Sequence, residues 1–242
     1  MKISAVIPAY NEEENILILV KRFKNVFAEL NIDFEIIIVV QGEDGTIEKL
    51  KNLQDSGLLE LKLIYFREPL GVAKAFKIGF DAIAADTTHI LTMDGDLNHQ
   101  PEELPHFLKA IDQENVDIVI GSRYVKGGMM HGLPTWKYLL SRLVNNILSH
   151  LTKLHDIKDK TSGYRLCKRE VIDKVKNRVR AKNFDFYVEF LIWAQKNGFK
   201  MVEIPIIFKY RREGRSKMGK IDTFLRYMKL FIRLEAGEFN DK

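Results

Sequence analysis

The stretch that decides the fold is His89–Leu104, which reads HILTMDGDLNHQPEEL. Its apolar residues up to Met93 indicate a buried strand, which ends at two aspartates, Asp94 and Asp96, with one glycine between them. Pro101 then begins a predicted helix whose first turn is acidic. In an open parallel sheet, ligands bind beyond the carboxyl ends of the strands, so this stretch places two carboxylates where a site is expected.

Apolar strands and helical patterns alternate on both sides of this stretch. Apolar residues recur at helical spacing from Ile16 to Leu30, and a second helix is expected from about Gly71 to Ala85. The alternation predicts an α/β fold, with a mostly parallel sheet and helices on both of its faces. The predicted strands of this half read KISAVIPAY, DFEIIIVV, LKLIYF, HILTM and VDIVIGSRY.

The second half of the chain is less regular and contains two predicted amphipathic helices. Between them, DFYVEFLIWAQKNGF predicts a helix that ends at Gly198, and KMVEIPIIFKY reads as one further strand. The first amphipathic helix carries on one face Trp136, Leu140, Leu143, Ile147, Leu151 and Leu154. The last helix carries on its apolar face Ile221, Phe224, Leu225, Met228, Phe231 and Ile232, and on its polar face Arg226, Lys229 and Arg233.

Composition indicates a globular protein with a basic C-terminal region. The 242 residues, 46% hydrophobic and 29% charged, fit one domain with a small extension. We expect neither a signal peptide nor a transmembrane segment, because no apolar stretch approaches the ~18–20 residues that spanning requires. The residues from Lys209 onward include ten basic and five acidic side chains. This excess of five equals the net charge of +5 of the whole chain. A negatively charged partner is therefore expected there, and the lack of base-reading motifs disfavours nucleic acid.

The single cysteine, Cys167, is expected to be a core thiol.

Asp94 and Asp96 are candidate ligands of a divalent cation. Residues i and i+2 of an extended chain point to the same side, and two such charges repel unless a cation lies between them. Asn98 adds a third oxygen two residues further on. Two other interpretations stay open: a phosphatase with an aspartate nucleophile, and a solvated turn that caps the next helix. An EF-hand loop is excluded, because His99 and Pro105 stand where it needs glycine and glutamate.

Six motifs in order carry a family resemblance. They read VIPAYNEEENI, MDGDLNHQPEELP, GSRYVKGG, TSGYR, VEIPI and FKYRREGRSKMG. With them, the chain resembles the inverting family 2 glycosyltransferases of GT-A fold, and among these the dolichyl-phosphate mannose synthases. The resemblance implies a GT-A domain over residues 1–217, followed over 218–242 by an amphipathic basic helix and tail. The sequence has no P-loop, no G-x-G-x-x-G and no G-x-S-x-G motif.

The resemblance also assigns roles to single residues. The ligands of a Mg²⁺ or Mn²⁺ ion that bridges the donor diphosphate would be Asp94, Asp96 and Asn98, with Asp96 counted as catalytic. The catalytic cradle for an acceptor phosphate would be Arg123, Lys137 and Ser141. The nucleotide pocket and the loop that closes over the phosphates would be lined by Pro8, Tyr10, Glu12, Gln41, Asp44, Arg211, Arg212, Ser216 and Lys217.

The implied reaction needs no general base. A lipid phosphate monoester, with a second pKa near ~6, is largely dianionic at neutral pH and is already a nucleophile. The difficulty is repulsion between this acceptor and the donor diphosphate, which a metal ion on one and basic side chains on the other would overcome. In-line attack at the anomeric carbon would invert its configuration.

The chain departs from the family after the second strand. Val40 and Gln41 stand about where the family carries two aspartates, one of which contacts the nucleotide base or ribose. Gln41 can hydrogen bond without adding charge, and Asp44 either replaces the acid or only shapes the turn with Gly45. GDP-mannose is the expected donor, with UDP-glucose and UDP-N-acetylglucosamine as alternatives.

The implied acceptor is a polyprenyl or dolichyl phosphate, which places the enzyme at a membrane. We expect a peripheral protein on the cytoplasmic face, held by its basic amphipathic helix and by a membrane-anchor subunit. Two alternatives remain: an enzyme of the same fold that glycosylates a glycan or cell-wall polymer, and a non-catalytic subunit that binds nucleotide and lipid.

Overall fold

A computed structural model describes residues 1–57, 61–210 and 220–239, and it confirms the α/β architecture with a mostly parallel sheet. Seven strands form the main sheet in the order β3-β2-β1-β4-β7-β5-β8, and β6 pairs with β9 in a separate small sheet. Within the main sheet, β7 runs antiparallel to both of its neighbours, β4 and β5. The strands are β1 (Lys2–Tyr10), β2 (Asp33–Gln41), β3 (Leu61–Phe66), β4 (His89–Thr92), β5 (Ile118–Ser122), β6 (Met129–His131), β7 (Arg165–Lys168), β8 (Met201–Pro205) and β9 (Ile207–Lys209).

The helices follow the predicted alternation, with two that the sequence analysis missed. The helices are α1 (Ile16–Leu30), α2 (Thr46–Asp55), α3 (Val72–Asp81), α4 (Leu104–Gln113), α5 (Thr135–Leu151), α6 (Arg169–Val175), α7 (Asp185–Lys196) and α8 (Lys220–Glu235). The missed helices are α2 and α6, and α3 ends earlier than predicted. A 3-10 turn, Pro101–Glu103, precedes α4. The single strand predicted over KMVEIPIIFKY is divided between β8 and β9, which belong to different sheets.

Both faces of the main sheet are covered, which explains why its strands read as nearly continuous apolar runs. Residues of β1 alternate between two cores: Ile7 packs with Phe23 and Phe107 on one face, and Val6 packs with Phe76 on the other. Cys167 is buried in the second core, and burial raises the pKa of its thiol to about 12. The predicted core thiol is therefore confirmed.

The antiparallel strand β7 determines what lies at the carboxyl edge of the sheet. The strands β4 and β5 end at this edge, at Thr92 and Ser122. Because β7 lies between them and runs the opposite way, its first residue, Arg165, pairs with Thr92. The loop that enters β7, residues 159–164, therefore lies at the same edge, between the ends of β4 and β5.

The end of α8 is held against α7 by a buried ion pair. Arg233 donates from Nη1 and Nη2 to the two carboxylate oxygens of Glu189, at 2.9 and 3.0 Å, and Glu189 has no solvent exposure. The sequence analysis placed Arg233 on the polar face of this helix without a partner, and the structure shows that its guanidinium pairs with a carboxylate of the core. The side chains of residues 220–227 lie outside the described part of the chain, so the amphipathic character of α8 stays a prediction, as does the boundary at residue 217.

Candidate functional site

The loop after β4 brings the predicted carboxylates to the carboxyl edge of the sheet, where both Asp94 and Asp96 are half-buried. Gly95 between them lies against strand β1, with its N–H donating to the carbonyl of Pro8 at 3.3 Å. A Cβ at Gly95 would stand 3.2 Å from that carbonyl oxygen and 3.3 Å from the Cβ of Ala9. These distances are tighter than most Cβ contacts, so the glycine favours the close packing that holds both flanking aspartates beside the end of β1.

Asp94 is in an environment that disfavours its own negative charge. Burial raises the pKa of Asp94, and the nearby charge of Glu12 raises it further. A hydrogen bond from the hydroxyl of Tyr187 to Oδ1, at 2.6 Å, acts in the opposite direction, as do the charges of Arg123 and Arg165. A bound cation would relieve the same penalty, as expected for a metal ligand.

Asp96 is oriented by Asn98. The backbone N–H of Asn98 donates to Oδ1 of Asp96 at 3.1 Å, and its side-chain Nδ2 donates to Oδ2 at 2.6 Å. Leu97 between them adopts a positive φ of 62°, which turns the chain back for this contact. Over residues 1–57, 61–210 and 220–239, no group of three or more His, Cys, Asp and Glu side chains could hold a metal. The protein ligands of an ion at this loop would therefore be two carboxylates with amide support.

The predicted acceptor residue Arg123 is held by a buried carboxylate. Its Nε and Nη2 donate to the two oxygens of Asp159, both at 2.7 Å, and Nη2 also reaches Thr161 Oγ1 at 2.8 Å. The side chain of Asp159 has no solvent exposure. Burial acts to raise the pKa of Asp159, but the charge and hydrogen bonds of Arg123 keep it below its ordinary value. Arg123 is thus fixed in direction, and much of its charge is compensated.

Glu203 fixes the loop that carries Asp159. Its two carboxylate oxygens accept the backbone N–H groups of Lys158 and Asp159, at 2.7 and 2.8 Å. Because Glu203 lies in β8, next to β5 in the sheet, the rigid sheet positions first Asp159 and through it Arg123. The sequence signal was the motif VEIPI, to which the sequence analysis assigned no contact.

The other two cradle residues lie on the inner side of α5. Lys137 donates from Nζ to the hydroxyl of Tyr210 at 2.6 Å. Ser141 accepts a hydrogen bond from the hydroxyl of Tyr124 at 2.6 Å. Tyr124 follows Arg123 directly, so these contacts bring the start of α5 beside the end of β5.

The outer side of α5 is apolar and exposed. Leu139, Leu140 and Leu143 are 59%, 52% and 55% exposed, whereas Asn145 on the inner side is only 2% exposed. An ordinary surface helix buries its leucines, as α5 does with Leu148 near its end, but these three leucines face outward. Trp136 and Ile147 extend the same face and are also exposed. A contiguous apolar surface of this kind usually marks an interaction with a partner or a lipid.

The residues predicted for the nucleotide pocket collect around the ends of β1 and β2. Pro8 is buried in β1 and Tyr10 is partly exposed at its end. Glu12 is buried beyond the strand, and its Oε2 accepts a hydrogen bond from Asn15 Nδ2 at 2.7 Å. The structure thus gathers Pro8, Tyr10 and Glu12 at the edge that also holds the carboxylate loop.

Gln41 and Asp44 are both engaged in the local chain. The side-chain oxygen of Gln41 accepts the backbone N–H of Leu70 at 2.7 Å. Asp44 accepts hydrogen bonds from Thr46, from both N–H and Oγ1, and from the backbone N–H of Glu13. These contacts favour the interpretation that Asp44 shapes the turn before α2. The remaining predicted residues, Arg211, Arg212, Ser216 and Lys217, lie outside the described residues.

The fold is similar to those of solved glycosyl-3-phosphoglycerate synthases. A glucosyl-3-phosphoglycerate synthase from Mycobacterium tuberculosis, solved with Mn²⁺, UDP and phosphoglyceric acid, aligns over 100% of this chain and 79% of its own, with a TM-score of 0.69 and 17% identity. A mannosyl-3-phosphoglycerate synthase from Rubrobacter xylanophilus covers 97% of this chain and 73% of its own, with a TM-score of 0.65 and 14% identity. These similarities confirm the GT-A fold.

Sequence comparison identifies the family. The profile described as "Glycosyl transferase family 2" matches residues 4–176. A polyprenol monophosphomannose synthase from Mycolicibacterium smegmatis is 34% identical over 219 residues, which are 88% of this chain and 80% of that protein. A dolichol-phosphate mannosyltransferase from Pyrococcus furiosus is 36% identical over 242 residues. This alignment covers 98% of the present chain but only 65% of the length of that relative. The chain therefore belongs to glycosyl transferase family 2.

Proposed function

We propose that this protein transfers a hexose, with mannose from GDP-mannose as the first choice, to a polyprenyl phosphate at a membrane surface, with inversion at the anomeric carbon. The observation that carries the proposal is the placement of two opposite charge centres at one edge of the sheet. Asp94 and Asp96 follow β4, and Arg123 follows β5, with only β7 between these strands. The names of the two relatives at 34% and 36% identity support the same reaction.

The carboxylate loop fits a divalent cation. Oxygen ligands of this kind suit Mg²⁺ and Mn²⁺. Asp94 and Asp96 would hold the ion, and Asn98 would orient Asp96 and complete the predicted ligand set. When bound, the ion would neutralise charge on the donor diphosphate and so favour departure of the nucleoside diphosphate.

The cradle of Arg123, Lys137 and Ser141 would bind the acceptor phosphate. Asp159 compensates much of the charge on Arg123, so Arg123 would serve mainly to orient the phosphate through its planar fork. Attraction for the dianion would then depend on Lys137 and on the predicted contacts of Arg211, Arg212, Ser216 and Lys217. With the acceptor held in line with the anomeric carbon, its own oxygen attacks and no protein base is required.

The apolar side of α5 would rest on the lipid bilayer. The same helix carries Lys137 and Ser141 on its inner side, so contact with the bilayer would bring a membrane-embedded acceptor to the cradle. Within the described parts of the chain, no helix is long and apolar enough to cross a membrane. From the exposed apolar side of α5 we infer a peripheral attachment, proposed for the cytoplasmic face, to which a membrane-anchor subunit and the basic C-terminal region would contribute.

The nucleotide base of the sugar donor would lie near Gln41. The side-chain oxygen of Gln41 already accepts the backbone N–H of Leu70, which leaves its amide N–H groups and one oxygen lone pair to contact a nucleotide. This observation keeps UDP-glucose and UDP-N-acetylglucosamine as second candidates.

A donor screen tests the proposal. Purified protein would be mixed with Mn²⁺, dolichyl phosphate in phosphatidylglycerol-containing vesicles and each radiolabelled nucleotide sugar, and label entering the lipid phase would be counted. Transfer from GDP-mannose, abolished by Asp96→Ala, is expected. Transfer only from a UDP-sugar would change the donor, and transfer only to a water-soluble glycan would change the acceptor. Nucleotide binding without transfer from any donor would favour a non-catalytic subunit.

A further inference from the structure

We propose that Tyr187 is a positioning residue for the metal site, which holds Asp94 in the orientation that binds the ion. The inference rests on the proposed function, because it takes Asp94 as a metal ligand. The hydroxyl of Tyr187 donates to Oδ1 of Asp94 at 2.6 Å. Within the described residues, this is the one side-chain hydrogen bond that Asp94 receives, so Tyr187 is well placed to fix the direction of the carboxylate.

Tyr187 comes from far along the chain and is rigidly enclosed. It lies in the first turn of α7 and is 3% exposed. Its ring meets Phe76 edge-on, with the ring centroids 6.0 Å apart, and the guanidinium carbon of Arg165 lies 5.5 Å from its centroid. A tyrosine held in this way has no alternative rotamer without moving its neighbours, and it can therefore define the position of Asp94.

Gly163 leaves the space that the ring of Tyr187 occupies on its way to Asp94. A Cβ at Gly163 would stand 2.9 Å from both Cε1 and the hydroxyl oxygen of Tyr187, closer than packed atoms allow. Gly163 is itself fixed, because its carbonyl accepts a hydrogen bond from Thr92 Oγ1 at 2.8 Å. This contact accounts for the glycine of the TSGYR motif: it leaves room for a side chain that supports the metal ligand.

A role in positioning the ligand predicts an effect on metal binding that exceeds any effect on stability. Removing a group that orients a metal ligand typically weakens binding about 10- to 100-fold. For Tyr187→Phe we expect Mn²⁺ to bind at least ~10-fold more weakly in the presence of GDP. Gly163→Ala keeps the hydroxyl but displaces the ring, and it should weaken Mn²⁺ binding in the same direction.

The control is a buried hydroxyl at the opposite end of β4. Thr87 precedes this strand, whereas Asp94 follows it; Thr87 is 4% exposed, and its Oγ1 lies 2.6 Å from Oγ of Ser4, within hydrogen-bond distance. Thr87→Val removes a buried hydroxyl away from the carboxylate loop and should leave the Mn²⁺ affinity unchanged.

The experiment measures Mn²⁺ binding by electron paramagnetic resonance with GDP present, together with the melting temperature of each variant. The expected result is weak Mn²⁺ binding in Tyr187→Phe and Gly163→Ala and wild-type binding in Thr87→Val. Wild-type binding by Tyr187→Phe would overturn the inference and leave the proposed function intact, and equal weakening in Thr87→Val would overturn it as well. If Asp94→Ala binds Mn²⁺ as tightly as wild type, the metal site itself fails, and the inference fails with it.

Discussion

Replacing two leucines on the outer side of α5 should weaken membrane binding without weakening the fold. Leu139 and Leu143 are 59% and 55% exposed. Complete burial of a leucine side chain is worth about 1.5–3 kcal/mol, so covering the exposed half contributes about 1 kcal/mol for each residue. The double variant Leu139→Ser, Leu143→Ser should therefore lose about 2 kcal/mol of binding free energy, or about 30-fold in vesicle affinity.

Vesicle flotation measures this loss, and the chain offers a matched control. Ile18 is 51% exposed on α1, which packs on the sheet with a different set of neighbours. Ile18→Ser removes a similar apolar area and should leave vesicle binding unchanged. The melting temperatures of all three proteins should agree closely, because these side chains are exposed. Binding that falls less than about threefold in the double variant, or that falls equally in Ile18→Ser, would refute the bilayer contact of α5.

Three further predictions concern charged residues around the site. Burial raises the pKa of Glu103 from 4.5 to about 7, so the folded state favours the neutral carboxyl, and the free energy of unfolding should fall as the pH rises through this interval. In urea unfolding, Glu103→Gln should be more stable than wild type by about 1 kcal/mol at about pH 8, after allowance for solvent screening, with little difference near pH 5. Asp159→Asn leaves Arg123 without its buried partner and should lower the free energy of unfolding by about 3 kcal/mol, as measured by denaturant titration. Lys137→Met should raise the KM for polyprenyl phosphate about 10- to 100-fold in a transfer assay, with Mn²⁺ binding unchanged; an unaltered KM would remove Lys137 from the acceptor site.

The parts of the fold that were predictable depend on local pattern. The strands β1, β2, β4 and β5 are apolar on both faces, and each is followed by residues at helical spacing, so their positions along the chain and the α/β class could be derived from the sequence. Asp94 and Asp96 were predictable as a site because they immediately follow such a strand. Gly198 after α7 adopts a positive φ of 78°, as expected of a glycine that follows a helix end.

The parts that were missed depend on contacts between distant residues. Tyr187 and Asp94 are 93 positions apart, and nothing near Tyr187 in the sequence indicates that its hydroxyl reaches a carboxylate. Helical periodicity placed Arg233 on the polar face of its helix, but it could not indicate the pairing with Glu189, 44 positions away. The strand β7 has only four residues, and its antiparallel direction is set by neighbours on both sides rather than by its own pattern.

The antiparallel direction of β7 links the two halves of the proposed reaction. Had β7 been parallel, the loop before it would lie at the opposite edge of the sheet, away from both charge centres. In the observed direction, the loop over residues 159–164 supports one centre near each of its ends. Near its start, Asp159 fixes Arg123 through a bidentate ion pair. Near its end, Gly163 leaves room for Tyr187, whose hydroxyl reaches Asp94. A single short loop therefore helps to fix the distance between the carboxylates proposed to bind the metal and the arginine proposed to bind the acceptor. In-line transfer between two anions depends on that distance being fixed.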